Sequence, residues 1–170
     1  ERKEALGRKI LDLYAIEFFE NALVQSDPNP GNFFVTEDDR IVLLDFGAVK
    51  KYERSFVSNY ITLMQFAHKR DLPATVMQAI EMGFVDDREE EETKELFFTM
   101  LRSSLCAFDK EKQPFDFGDK NYFEQTKVTT REFGRVSKYT PPPFELIFLH
   151  RKLVGVFGIL RELDLRIDLD

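Results

Sequence analysis

Apolar positions recur at helical steps through most of this chain. From Glu1 to Leu23 the apolar set is Leu6, Ile10, Leu13, Tyr14, Phe18 and Ala22, with Lys, Arg and Glu between, which predicts an amphipathic helix. A second helix is predicted over Glu53–Lys69, with Phe56, Tyr60, Leu63, Met64 and Ala67 on one face. A third covers Leu72–Met82, stopped by Gly83. The segment Asp86–Asp109 opens on an acidic run and continues with a stripe of Leu96, Phe97, Met100, Leu101, Leu105 and Phe108. Tyr122–Lys138 is a more polar helical stretch. After Pro141-Pro142-Pro143, a rigid stop, a final helix is expected from Phe144 to Leu163, apolar nearly all round and deeply packed. The tail Asp164–Asp170 alternates polar and apolar residues and reads as frayed or truncated.

One region breaks the helical rhythm. Phe33–Val35 and Ile41–Leu44 are β-type runs separated by the polar turn Thr36–Arg40, so a short hairpin is expected. Its outer ends carry Asp27, Asn32 and Asp45, which should converge at one edge. Asp27 and Asn32 stand five positions apart, and Asp45 opens Asp45-Phe46-Gly47 thirteen positions later. Mg²⁺ takes one or two hard oxygen ligands from protein and the rest from phosphate and water. Asn32 and Asp45 suit that role, while Asp27 suits a base that accepts a proton from an attacking hydroxyl or orients a water. Asp-Pro-Asn-Pro-Gly-Asn is also ordinary turn chemistry; the combination of all three polar groups around a hairpin is what makes the phosphoryl-transfer reading specific. A second triplet, Asp116-Phe117-Gly118, follows the polar stretch Lys110–Pro114 instead of an apolar strand. It is assigned to a structural loop spanning Lys110–Lys120.

Composition narrows the classes. A chain of 170 residues with 43% apolar content is long enough for one domain burying about 70% of its unfolded surface. The formal charge of −7 opposes nucleic-acid binding, which needs cations against phosphate, and simple adhesion to anionic lipid. A lone cysteine, Cys106, forms no internal disulfide and is expected to pack as a small apolar residue. The longest apolar run, Leu153–Leu160, has eight residues, too few for a membrane span. Eighteen Phe and no Trp fit a Phe-rich core, or rings that meet a partner.

The stretches Gln25-Ser26-Asp27-Pro28-Asn29-Pro30-Gly31-Asn32-Phe33-Phe34 and Leu43-Leu44-Asp45-Phe46-Gly47-Ala48, with Tyr52–Phe56, Pro114–Gly118, Pro141–Pro143 and Leu149–Lys152, resemble the UbiB (aarF-domain) family of atypical protein-kinase-like proteins, in its coenzyme Q assembly branch. The resemblance covers nearly the whole chain. It implies a mostly α fold with a short β-hairpin, the C-terminal lobe of a protein-kinase-like domain: catalytic loop 25–32, metal-binding triplet 45–47, helical remainder 53–163. It implies Mg²⁺ (or Mn²⁺) and ATP as cofactors, bound through Asn32 and Asp45. It also implies a role in ubiquinone biosynthesis at an intracellular membrane, on the bacterial inner face or in a mitochondrion or plastid. The family's nucleotide loop, its lysine strand and its Lys-x-Gly-Gln extension have no counterpart in residues 1–170, so the N-terminal lobe is the expected partner, with lipid or coenzyme Q pathway proteins beside it.

Gln25-Ser26-Asp27 departs from the His-Arg-Asp of typical protein kinases and offers no arginine to a phosphorylated activation loop. The chain already reads as helical at Glu53, and no Ala-Pro-Glu follows. A small molecule or water is therefore the expected acceptor. Two other readings stay open: a non-catalytic, nucleotide-responsive scaffold for a protein or lipid partner, and a phosphotransferase of the aminoglycoside or choline type, which usually carries His where this chain has Gln25. Several charged groups also carry two readings. Lys50-Lys51 suits phosphate or solvent. The run Asp86–Glu92 suits a metal or a helix N-terminus. His150-Arg151-Lys152 suits an anion or a capped or solvated role. The final helix suits the core or a lipid-facing patch, with Gly155 and Gly158 allowing close helix approach. His68 reads as structural, near a helix end.

Overall fold

Helices carry most of the chain, and the strands among the described residues come as three antiparallel pairs. The computed structural model describes residues 1–27, 29–140 and 144–169; the Pro141-Pro142-Pro143 stop lies outside them. The expected balance, mostly α with a short hairpin, is present. The chain divides into two units, Glu1–Val57 with Pro114–Gly118 and Phe144–Asp168, and Ser58–Gln113 with Asp119–Pro143 and Leu169–Asp170.

In the first unit, α1 (Arg2–Ala15) buries Gly7, Ile10 and Tyr14, the three- and four-residue spacing read from the sequence. It does not run on to Leu23. Its last turn widens into a π turn, Ile16–Glu20, which puts the adjacent Glu17 and Phe18 both inside. Ala22 then takes a left-handed conformation (φ 52°), and the chain leaves as β1 (Leu23–Gln25). The hairpin of β2 (Phe33–Val35) and β3 (Ile41–Leu43) forms as expected, with Phe33 opposite Leu43 and Val35 opposite Ile41. After the Asp-Phe-Gly triplet comes an unexpected strand, β4 (Val49–Lys51), which pairs with β1 in the register Leu23–Lys51 and Gln25–Val49.

The core of this unit is aromatic. Phe18 meets Tyr52 edge-on at 5.4 Å, and Tyr52 stacks on Phe56 at 5.3 Å. The segment expected as a loop around the second triplet instead contains β5 (Phe115–Asp116). It pairs with β6 (Arg166–Ile167), so the tail is not frayed. The alternation there has a function: Leu165 and Ile167 point inward against Gly7, where an added Cβ would lie 2.9 Å from Ile167 Cδ1. The last helix, α6 (Phe144–Glu162), buries Leu149, Val156, Phe157 and Leu160 but leaves Phe144, Ile147 and Val154 exposed. Its packing is one-sided, contrary to the all-round apolar expectation. Among the described residues nothing lies within 4 Å of where a Cβ at Gly158 would sit, so no described helix approaches closely there.

In the second unit, α2 (Arg54–His68) continues from the first. Asp71 caps α3 (Leu72–Glu81) by accepting from Ala74 N at 3.1 Å. Gly83 ends it at φ +70°, as its identity predicts. The acidic run begins as a turn and continues into α4 (Glu91–Leu105), whose first turn holds Glu91 and Glu92, so the helix N-terminus reading applies to these two. Asp86 accepts from Arg88 Nε at 2.9 Å and Nη2 at 2.8 Å. Glu89 is buried and accepts from Tyr139 N, Lys138 N, Ser137 Oγ and Thr140 Oγ1 at 2.7–3.0 Å. Burial raises its pKa, but these donors outweigh that and bring it below the usual carboxylate range. These hydrogen bonds give Asp86 and Glu89 structural partners, and among the described residues no group of three or more His, Cys, Asp or Glu is placed to hold a metal.

Helix α5 (Lys120–Val136) starts on an Asp119 cap and packs Phe133 on Phe97 at 5.4 Å. Phe108 lies outside α4 and is exposed, unlike the buried stripe it was read into. Cys106 sits in a short 3₁₀ turn, and Lys112 Nζ is 3.3 Å from its Sγ. His68 Nδ1 is 4.0 Å from Asp109, which Arg102 also holds. No helix among the described residues is long and apolar enough to cross a membrane.

Candidate functional site

Two strand pairs frame the site. The β1–β4 ladder lies outside the β2–β3 hairpin in chain order, so the described residues of the two connections between them, 26–27 with 29–32 and 44–48, face each other. Four hydrogen bonds clamp these loops together. Ser26 donates to Ala48 O from its backbone at 2.7 Å and from its hydroxyl at 3.0 Å. Gln25 Nε2 donates to Asp45 O at 3.1 Å. Leu44 N donates to Asn32 O at 3.0 Å. The loops that carry Asp27, Asn32 and Asp45 are therefore held together with the help of β1 and β4, two strands that the hydrophobic pattern does not predict.

Asp27, Asn32 and Asp45 all sit on these loops. Asn29 Oδ1 accepts from Gly31 N at 3.0 Å and caps the 3₁₀ turn Pro30–Asn32, which presents Asn32. The amide of Asn32 donates from Nδ2 to Asp27 Oδ2 at 2.9 Å. That bond leaves its carbonyl oxygen, a hard donor, available to a cation. Asp27 is half-buried, and its other oxygen lies 3.8 Å from Arg151 Nη2. Asp45 is exposed and accepts from Gly47 N at 2.7 Å through Oδ1. A Cβ at position 47 would lie 3.1 Å from that oxygen, so glycine lets the backbone close on the carboxylate. The second carboxylate oxygen of Asp45 remains for a ligand. One carboxylate and one amide oxygen match the modest protein donor set that Mg²⁺ takes beside phosphate.

The second triplet repeats the local bond and nothing else. Gly118 N donates to Asp116 Oδ1 at 2.8 Å. Yet Asp116 is engaged by Arg166 at 2.8 Å, and Phe117 is fully buried against Phe157. Phe46 of the first triplet is 62% exposed.

The charged groups of α6 divide by face. Arg151 reaches Asp27, whereas Lys152 is 1% exposed, 3.1 Å from Glu17 Oε2 and 3.2 Å from Gln25 Oε1. The anion and solvent readings of Lys152 are thus both overturned. The signal was present: Lys152 falls in the apolar stripe of Leu149, Val156 and Leu160 at helical spacing. Glu17 was less legible, because only the π turn brings it inside. Lys50 lies 3.9 Å from Glu145 and 5.9 Å from the Phe144 ring, so it has protein partners.

Residues 1–79 match the ABC1 atypical kinase-like domain. The chain is 30% identical over 96% of its length to a probable serine/threonine-protein kinase, abkA, of Dictyostelium discoideum. It is 30% identical over 98% of its length to the mitochondrial atypical kinase COQ8B of Danio rerio. It is 28% identical over 92% to the mitochondrial atypical kinase COQ8 of Saccharomyces cerevisiae. It spans 30%, 26% and 32% of those three proteins. The chain belongs to the ABC1/UbiB family of atypical kinases.

Proposed function

We propose that this chain is the C-terminal, catalytic lobe of an atypical kinase or ATPase that binds Mg-ATP. Asn32 and Asp45 hold the cation, and Asp27 orients the acceptor hydroxyl or water. The observation that carries the reading is the Asn32–Asp27 hydrogen bond within two loops clamped by four further bonds. A bound Mg²⁺ would neutralise charge on the phosphates. The residues of the chain supply position: Asn32 fixes the rotamer of Asp27, and Gly47 fixes that of Asp45.

The acceptor reading rests on the short segment after Asp45-Phe46-Gly47. Strand β4 begins at Val49 and α2 at Arg54. That interval leaves no room for a long peptide-docking activation segment, which favours water or a small molecule. Phe34, Leu44 and Phe46 are exposed beside the site; a nucleotide-clasping N-terminal lobe of the same parent protein would cover them. The proposed role in coenzyme Q biosynthesis, at a mitochondrial or other intracellular membrane, rests on family membership and on the COQ8 relatives.

The test of acceptor class is phosphate transfer from γ-labelled ATP by the full-length parent. Label released as inorganic phosphate, or carried by a small lipid-extractable product, supports the reading. Label confined to added protein substrates contradicts it.

A further inference from the structure

Lys152 has an environment that ordinary stability does not explain. Its ammonium is buried to 1% exposure on a helix face otherwise made of Leu149, Val156 and Leu160. Taking such a cation out of water is costly, and an apolar residue of similar volume is often as stable or more so. The ammonium has three neighbours. Glu17 Oε2 lies at 3.1 Å, Gln25 Oε1 accepts from it at 3.2 Å, and the Phe33 ring centroid lies at 5.4 Å. Burial raises the pKa of Glu17 and Lys152 draws it back down, as expected for a carboxylate and an ammonium held together inside protein.

The arrangement continues into the site. With its oxygen occupied by Lys152, Gln25 has its amide fixed in one sense, because the reverse would set two donors together. Its Nε2 then donates to Asp45 O at 3.1 Å. Phe33, under the same ammonium, directly follows Asn32. One buried cation therefore touches both walls of the candidate metal site: through Gln25 the backbone of Asp45, and through the Phe33 ring the start of the strand beside Asn32.

We propose that Lys152 is a positioning residue. With Glu17 as its counter-ion, it sets the separation of Asn32 and Asp45 by way of Gln25 and Phe33. This rests on the reading of Asn32 and Asp45 as the cation's ligands. It assigns a role in that site to a residue of the C-terminal helix far away in sequence.

The test uses Mn²⁺ binding in the presence of ADP, read by electron paramagnetic resonance on the full-length parent, with thermal melting alongside. Three proteins are compared with wild type. Gln25→Glu keeps an acceptor for Lys152 and loses the donor to Asp45 O. The pair Glu17→Gln with Lys152→Met removes both buried charges at similar volume. Asp45→Asn reports on the underlying reading. The expected result is a Mn²⁺ affinity at least fivefold weaker in the first two, with the paired variant melting near wild type, and a larger loss in Asp45→Asn. Wild-type affinity in both Gln25→Glu and the paired variant, with Asp45→Asn impaired, overturns the positioning role and leaves the metal site standing. Wild-type affinity in Asp45→Asn overturns both.

Discussion

Asn32 donates a hydrogen bond from Nδ2 to Asp27 Oδ2 at 2.9 Å. The bond joins the proposed metal donor to the proposed acceptor-orienting carboxylate, so one residue governs both functions. Asn32→Leu removes the amide oxygen and frees Asp27 at once. Positioned acid–base groups contribute about 10²–10⁴-fold to rate, so ATP turnover by the full-length parent is expected to fall at least about 100-fold. Asn32 is half-exposed, so the melting temperature should move little. Assaying ADP release and thermal melting on one preparation checks both halves.

The buried pair of Glu17 and Lys152 makes a stability prediction of its own. Lys152→Met leaves the Glu17 carboxylate inside without its counter-charge, and breaking a buried pair this way costs about 3–5 kcal/mol. Adding Glu17→Gln removes the orphan charge and should recover most of that loss. Urea denaturation of the single and paired variants measures the difference.

The two Asp-Phe-Gly triplets predict opposite phenotypes. Phe117 is fully buried and meets Phe115 and Phe157 edge-on at 5.1 and 5.2 Å. Phe117→Ala should cost about 3–5 kcal/mol. Phe46 is exposed, and Phe46→Ala should stay within about 0.5 kcal/mol. Denaturant midpoints decide this, and Asp116→Asn should leave turnover unchanged.

His150 gives the fold a slope with pH. Its imidazole is surrounded by protein, although part of the residue reaches the surface, and burial pushes its pKa down to about 4. The unfolded value is about 6.5. Between the two, the unfolded chain binds the extra proton. The stability contribution is therefore complete above the unfolded value and is lost as the pH falls toward 4, by up to about 1.4 kcal/mol per pH unit. Glu89 acts in the same sense at lower pH: its depressed pKa contributes stability that is lost as the pH falls below about 4.5. Glu17, raised by burial, acts in the opposite sense. The His150 term is isolated by comparison with His150→Gln, whose melting temperature should fall less between pH 7 and 5 than that of wild type.

Much of this was legible in the sequence, and for identifiable reasons. The β2–β3 hairpin was found because apolar runs flank a polar turn. The end of α3 followed from Gly83. Strand β1 was hidden because Leu23–Gln25 continues the apolar rhythm of the preceding helix, and only a π turn and a left-handed Ala22 end it. Strands β4, β5 and β6 are two or three residues long, too short for periodicity to register. The candidate site residues Asp27, Asn32 and Asp45 stood out by type and spacing. Lys152 was read as a surface charge because its neighbours His150 and Arg151 made the trio look like a basic patch. The apolar spacing on either side of it was the better guide.

The most direct test of the central claim is Mg²⁺-dependent ADP release by the full-length parent, with and without liposomes, comparing wild type with Asp27→Asn and Asp45→Asn. The account predicts turnover by wild type, loss in Asp45→Asn and a loss of at least about 100-fold in Asp27→Asn. Equal rates in all three proteins would contradict it and leave these residues as structural groups of a nucleotide-responsive scaffold.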